Sequence, residues 1–284
     1  VVVRGASFTD IFYGPKQEAE PAYASQSYNN RIENSSFTIN RKYHLIGMDS
    51  YALNAAEGKV GDTFIVKNST FNFFTDTYGT FVVRTCADRV RFENCKLNIN
   101  LKKQTDGSSP YCIMSIFAAL ATKATSPKVE LVNTDIEING AASSSAGRIS
   151  NPFAYLFSKI GAKSYSVSLN QCNIHGTARV DWSLFEQMES VSISNSQISI
   201  GGCDYHGYYI NAPKRLQITG TTFTGRLGKY NTLVSVPNVK DYSHSIDNTT
   251  VDASVSKLFT TSPDRRHTRI TNVRNRTTNR PITK

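Results

Sequence analysis

One ten-residue pattern recurs ten times along this 284-residue chain: apolar, any, apolar, any, Asn (or Gly or Gln), small, any, apolar, any, apolar. The copies run from VVVRGASFTD (1–10) through FIVKNSTFNF (64–73) and VSISNSQISI (191–200) to TRITNVRNRT (268–277). Their central residues are Gly5, Asn34, Asn68, Asn94, Asn133, Gln171, Asn195, Gly220, Asn248 and Asn272, separated by 29, 34, 26, 39, 38, 24, 25, 28 and 24 residues. A repeat period in this range is the signature of a solenoid. Apolar residues alternate with period two on both sides of the central position. Each copy therefore reads as two short strands joined by a turn. Asn, Gly and Gln at the turn point to a left-handed backbone, which Gly and Asn tolerate best. Stacked coils would then place the Asn amides in a ladder, about 4.8 Å apart, each bonding the next. The following residue is mostly small, as Ser35, Ser69, Cys95 and Thr134 are, and fits a tight corner.

Between copies lies a further apolar segment: FVVRT (81–85), IMSIFAA (113–119), FAYLFSK (153–159), WSLFEQ (182–187), YYINA (208–212), TLVSV (232–236) and KLFTT (257–261). The expected architecture is thus all-β: a parallel β-helix of about ten coils with three strands each. The longer spacings imply insertions at 40–60, 100–125 and 139–152, the last including the loop-like GAASSSAG (140–147). A β-sandwich also has many short strands, but it gives no reason for one turn-residue type to recur at ten sites. The domain is expected to span 1–272, with a basic tail, 273–284, leaving the helix where Asn275 replaces an apolar residue. Val1 falls inside a copy, so the chain is expected to begin within a coil, as a piece or processed product of something longer.

On this turn pattern the chain resembles the right-handed parallel β-helix proteins, the pectate-lyase-like enzymes and phage tailspikes. The resemblance extends over nearly the whole chain and is architectural. No cluster of Asp residues stands at strand spacing to match a pectate-lyase calcium site, so that family's catalytic residues are not carried over. Tailspikes of this architecture are usually homotrimers, and the resemblance implies a homotrimer here.

Composition narrows the function classes. There is no run of about 18 apolar residues, which speaks against membrane insertion. Five cysteines (Cys86, Cys95, Cys112, Cys172 and Cys203) lack CxxC spacing, so no metal site is expected. No cofactor is implied. An odd count without disulfide grammar suits synthesis in a reducing cytoplasm. The net charge of +10 attracts polyanions. Nucleic acid is the weakest such partner, because no phosphate loop, basic helix or aromatic-interleaved basic stretch is present.

The candidate site comes from aligning the third strands, which places Arg84, Ser158, Glu186, Asn211, Ser235 and Thr260 at equivalent positions. Tyr155, Trp182, Tyr208 and Tyr209 then form an aromatic stripe, suited to stacking against the apolar faces of sugars. Asp181, Glu186, Glu189 and Asp204 are the acidic residues of that region, with His206 nearby. Glycoside hydrolysis needs two carboxylates about 5 to 9.5 Å apart, a span that adjacent coils supply. The expected catalytic residues are Asp181, Glu186, Asp204 and Glu189. The expected substrate-binding residues are Trp182, Tyr155, Tyr208, Tyr209, His206, Arg84 and Asn211. The competing reading makes these carboxylates surface groups paired with Lys or Arg. A lyase would use a basic residue instead, for which Lys159 is the candidate.

The expectation for function is a phage tailspike or related receptor-binding protein, carried on the virion, that binds a bacterial surface polysaccharide, with glycoside hydrolysis left open as its candidate activity. The alternatives are a non-catalytic β-helical adhesin or fibre protein, and a bacterial polysaccharide lyase or hydrolase.

Overall fold

The computed structural model describes residues 2–13, 23–25, 29–42, 50–55, 63–75, 80–85, 88–101, 111–120, 128–140, 148–149, 153–156, 165–180, 183–186, 188–202, 208–211, 213–225, 232–238, 240–252, 254–255 and 257–282. All strand pairings between its elements are parallel, and each strand pairs with its counterpart one repeat on. This is a parallel β-helix.

Three sheets run along it. The first is built from the strand before each turn, from Val2–Arg4 through Arg89–Glu93 and Ser190–Ser194 to the start of Thr268–Asn275. The second is built from the strand after each turn, including Ser36–Lys42, Lys96–Leu101, Asp135–Asn139, Asn173–Val180 and Gln197–Gly202. The third contains all seven segments expected from the sequence, as Thr80–Thr85, Tyr111–Leu120, Phe153–Leu156, Phe185–Glu186, Tyr208–Asn211, Thr232–Val234 and Lys257–Phe259. It begins earlier than expected, with Tyr23–Ser25 paired to Ser50–Ala55 and that strand paired to Thr80–Thr85. The stretch 40–60, expected to be an insertion, therefore carries a third-sheet strand. Most of the 140–147 loop lies outside the described residues.

The turn follows from one backbone feature. All ten central positions have positive φ, from 43° at Asn248 to 61° at Gly5. From Gly5 to Gly220 the N–H of each donates to a carbonyl in the next coil, as Asn34 does to Lys67 at 3.0 Å and Asn195 to Thr219 at 3.0 Å. Side-chain amides add a ladder over four coils: Asn68 donates to Asn34 at 3.1 Å, Asn94 to Asn68 at 3.1 Å and Asn133 to Asn94 at 2.8 Å. Gln171 and Gly220 interrupt it, and Asn272 restores it by donating to Asn248 at 2.6 Å. From Ser35 onward the residue after each turn is buried. Its hydroxyl donates to the carbonyl two residues back, as in Ser69 to Lys67 (2.7 Å) and Ser196 to Ser194 (2.7 Å). Cys95 and Cys172 do the same with their thiols at 3.4 Å. Cysteine here is a small, weakly polar corner residue.

The apolar positions of the repeat fill the interior. Ile32, Val66, Phe92, Leu131, Leu169, Ile193, Ile218 and Ile246 are each 0 % exposed. Identical residues stack between coils, with Phe37 over Phe71 at 4.6 Å and Phe153 over Phe185 at 5.0 Å.

The C-terminal segment differs from the expected departing tail. The last strand runs through Asn275, beyond the expected boundary at 272. Residues 276–282 then fold back on it. The N–H of Asn275 donates to Arg280 at 2.9 Å, that of Ile282 to Val273 at 2.9 Å, and Ile282 packs against the core. The reason is local: Val273 is buried and the Ile282 side chain covers the last coil, so a polar sequence still makes a cap.

Candidate functional site

The expected groove lies on the third sheet, and much of it falls outside the described residues. Asp181, Trp182, Asp204 and His206 do, as do Ser158 and Lys159. Arg84, Tyr155, Glu186 and Tyr208 stand on third-sheet strands. The observed register sets Arg84 beside Ala118, Ala118 beside Ala154, and Glu186 beside Asn211. Ala154, not Ser158, therefore holds the equivalent place in its coil.

Three expected site residues find other employment. Tyr209 is 1 % exposed; its ring packs 6.1 Å from Phe223 and its hydroxyl donates to the Ile200 carbonyl, so it cannot stack a sugar. The cause is a break in the alternation at the start of this sheet. Tyr209 and Ile210 are both buried, as are Leu184 and Phe185 and again Leu233 and Val234, because the chain rounds a corner there. Asn211 is also buried, at 7 % exposure. Glu189 is held by Arg215 at 3.3 Å and Lys214 at 3.6 Å. It is an ion-paired surface carboxylate, as the competing reading of the acidic residues had it.

The second sheet carries a cluster that the sequence reading missed. Asp135, on Asp135–Asn139, accepts from Asn173 Nδ2 at 2.8 Å and lies 3.2 Å from His175 Nε2 on the next coil. Glu137 stands in register with His175 and accepts from Asn139 at 3.0 Å. Ser199 follows His175 in the same row one coil further on. The side chains of Asp135 and His175 remain 35 % and 32 % exposed, so the cluster is open to solvent. Asp135 and Glu137 share a face two residues apart, a strand distance of about 6.6 Å. That lies in the range of glycosidic carboxylate pairs, about 5 to 9.5 Å. Counting two and four residues on from each central turn residue would have found Asp135, Glu137, His175 and Ser199 as neighbours in outward rows.

These residues belong to longer rows of hydrogen-bonding side chains. On the second sheet Thr38, Asn72, Asn98, Glu137, His175, Ser199 and Thr224 are in register on consecutive coils, and Asn98 donates to Asn72 at 2.8 Å. On the first sheet Ser168, Ser192, Gln217 and Ser245 form a parallel row, with Asn170, Ser194 and Thr219 beside it.

The first sheet changes character along its length. In its early coils charges alternate and pair. Glu33 is bound by Arg4 (2.8 Å) and Arg31, Glu93 by Lys67 (3.0 Å) and Arg91 (3.1 Å), and Glu130 by Arg89 (2.5 Å) and Lys128 (2.7 Å). Partial burial works to raise the Glu130 carboxyl, but its hydrogen bonds to Lys128 and Arg89 hold it below the usual range.

Among the described residues no group of three or more His, Cys, Asp or Glu side chains is arranged to hold a metal ion. Among the same residues no helix is long and apolar enough to cross a membrane. No protein-family model matches the chain, and no curated protein matches it.

Proposed function

We propose that this chain is the β-helical body of a phage tailspike-type, receptor-binding protein that binds a bacterial surface polysaccharide and acts as a homotrimer on the virion. The observation that carries this reading is the set of in-register rows of Ser, Thr, Asn and Gln on two outward sheet faces. A glycan chain repeats hydroxyls along its length, and a face that repeats donors and acceptors at the coil spacing of about 4.8 Å complements it. The regular backbone fixes those groups in advance, which lowers the ordering cost of binding. The test is calorimetric titration with purified capsular and O-antigen polysaccharides, alongside light scattering for oligomeric state. Binding to at least one such polymer by a trimer supports the reading. A monomer inert to every polymer tested overturns it.

A second reading adds cleavage, and the Asp135–Glu137–His175 cluster favours it over the third-sheet groove. In this reading Asp135, held by Asn173 and His175, and Glu137, held by Asn139, are the two carboxyl groups that flank the scissile bond. Reducing-end release from a bound polymer that is lost in Asp135→Asn and Glu137→Gln, with binding retained, would support it. Release unaffected by either change returns the chemistry to the third-sheet groove or removes it.

A further inference from the structure

We infer that the C-terminal end of the solenoid is a docking site for an acidic polysaccharide, one bearing carboxylate or phosphate groups. The residues from Asp264 to Lys284 contain seven Lys and Arg against the single Asp264, so they supply six of the ten net positive charges of the chain. The fold gathers this charge on the last coil and its cap. Arg265 sits in the turn that leads into the last strand, Arg269 on that strand, and Arg276 and Arg280 on either side of the cap turn. All four are exposed, and among the described residues none of their guanidinium groups has a carboxylate partner.

The rest of the molecule serves as an internal control. Arg4, Arg31, Arg89 and Arg91 on the early coils all pair with glutamates, and Arg215 pairs with Glu189. Each of these five arginines has a carboxylate beside it. On the last coil Arg266 alone has one, Asp264 at 2.7 Å, and Arg274 is oriented by Asn272 at 3.1 Å. Four exposed like charges on one coil and its cap raise the local positive potential, which an anionic ligand would neutralise.

The backbone at Arg276 and Arg280 is held by the cap hydrogen bonds, Arg276 N–H to the Val251 carbonyl at 2.7 Å and Asn275 N–H to the Arg280 carbonyl at 2.9 Å. Arg265, Arg269, Arg276 and Arg280 are distributed over the approach turn, the last strand and the cap, a spread that suits a polymer with repeated charges better than a single small anion. Planar guanidinium forks match carboxylate and phosphate oxygens. No Phe, Tyr or Trp occurs from Thr260 to Lys284, so there is no platform on which nucleobases would stack. Arg269 continues the first-sheet row of Ser192, Gln217 and Ser245 onto the last coil, so the charged end adjoins the neutral row and differs from it in charge.

The test uses the whole chain with polygalacturonate as probe, neutral dextran as control and duplex DNA as competitor, read by calorimetry at about 50 and about 200 mM salt. Polygalacturonate should bind, dextran should not displace it, and affinity should fall steeply between the two salt concentrations. Arg269→Gln/Arg276→Gln/Arg280→Gln should weaken binding about tenfold or more. Arg89→Gln, which removes a paired arginine, should leave affinity unchanged. Melting curves check that each variant is folded, and should the triple variant fail to fold, Arg269→Gln alone replaces it. No polygalacturonate binding, salt-independent binding, equal loss in Arg89→Gln, or tighter binding of duplex DNA would overturn the inference.

Discussion

At the scale of the residue, the molecule depends on a backbone conformation that most side chains resist. Each of the ten turn residues has positive φ, and a non-Gly, non-Asn residue placed there incurs strain of about 1 kcal/mol. Asn94 also both donates and accepts in the amide ladder. Asn94→Ala is expected to cost about 2 kcal/mol, from backbone strain and two lost hydrogen bonds, whereas Asn94→Gly keeps the backbone and loses only the bonds. Urea denaturation of the two variants measures the difference, and equal costs would mean the ladder, not the backbone, governs the turn. The corner cysteines give a second expectation. Burial pushes the Cys95 thiol up to about 11, and burial raises that of Cys172 as well. Thiolate is the reactive species. At pH 8, peptide mapping after thiol labelling should therefore find Cys95 and Cys172 unmodified in the folded protein and modified in urea. Rapid native labelling would show that these corners open.

At the scale of the element, the sequence revealed the first two sheets almost completely, because the turn residue, corner residue and alternating core positions lie within ten consecutive residues. The third sheet was less legible. Tyr23–Ser25 and Ser50–Ala55 lack a marked apolar run, and neighbours one coil away supply their strand character. At the start of the third sheet, paired buried residues defeat period-two reasoning, which is why Tyr209 read as a binding residue. The second-sheet cluster escaped notice because Asp135 and His175 are forty residues apart in sequence and meet only through the register. One close approach is specific to this sheet. A Cβ on Gly176, whose φ is 137°, would fall 2.0 Å from the Ile138 carbonyl oxygen of the previous coil. Gly176→Ala must move that backbone, and a loss of about 2 kcal/mol or more is expected, in the range of overpacked sites. A thermal melt unchanged from the parent chain would show the neighbouring coil yielding freely.

At the scale of the whole molecule, a solenoid is a linear array in which each coil contacts only its neighbours, so local differences in stability persist. The two ends of this array respond to different pH windows. The early coils depend on Glu33, Glu93 and Glu130, whose carboxyls are held low by Arg and Lys. Their contribution is complete above the unfolded carboxylate range and is lost only as pH falls through the lowered folded values. The late coils enclose His244, which is 1 % exposed. It lies 4.8 Å from Tyr242 and stacks 5.9 Å from Phe259, with His267 and Asp264 across the Tyr242 ring. Its Nε2 bonds the Pro213 carbonyl at 2.8 Å, and its buried Nδ1 finds no partner among the described residues. Burial lowers its pKa more than the Pro213 carbonyl raises it, so the unfolded chain binds a proton more readily than the folded one. Stability from this site is therefore whole above the unfolded value of about 6.5 and declines as pH falls below it. Acidification from pH 7.5 to 5.5 should loosen the C-terminal coils while the coils around Asn94 and Asn133 remain intact. Hydrogen exchange at the two pH values is the measurement. Protection should fall first in 213–225 and 243–275 and persist in 88–101 and 128–140. In His244→Phe, which keeps an aromatic ring without a titrating group, the difference between the two pH values should disappear. A uniform loss of protection along the chain would mean that the coils unfold as one unit and that the late histidine is not the acid-labile point.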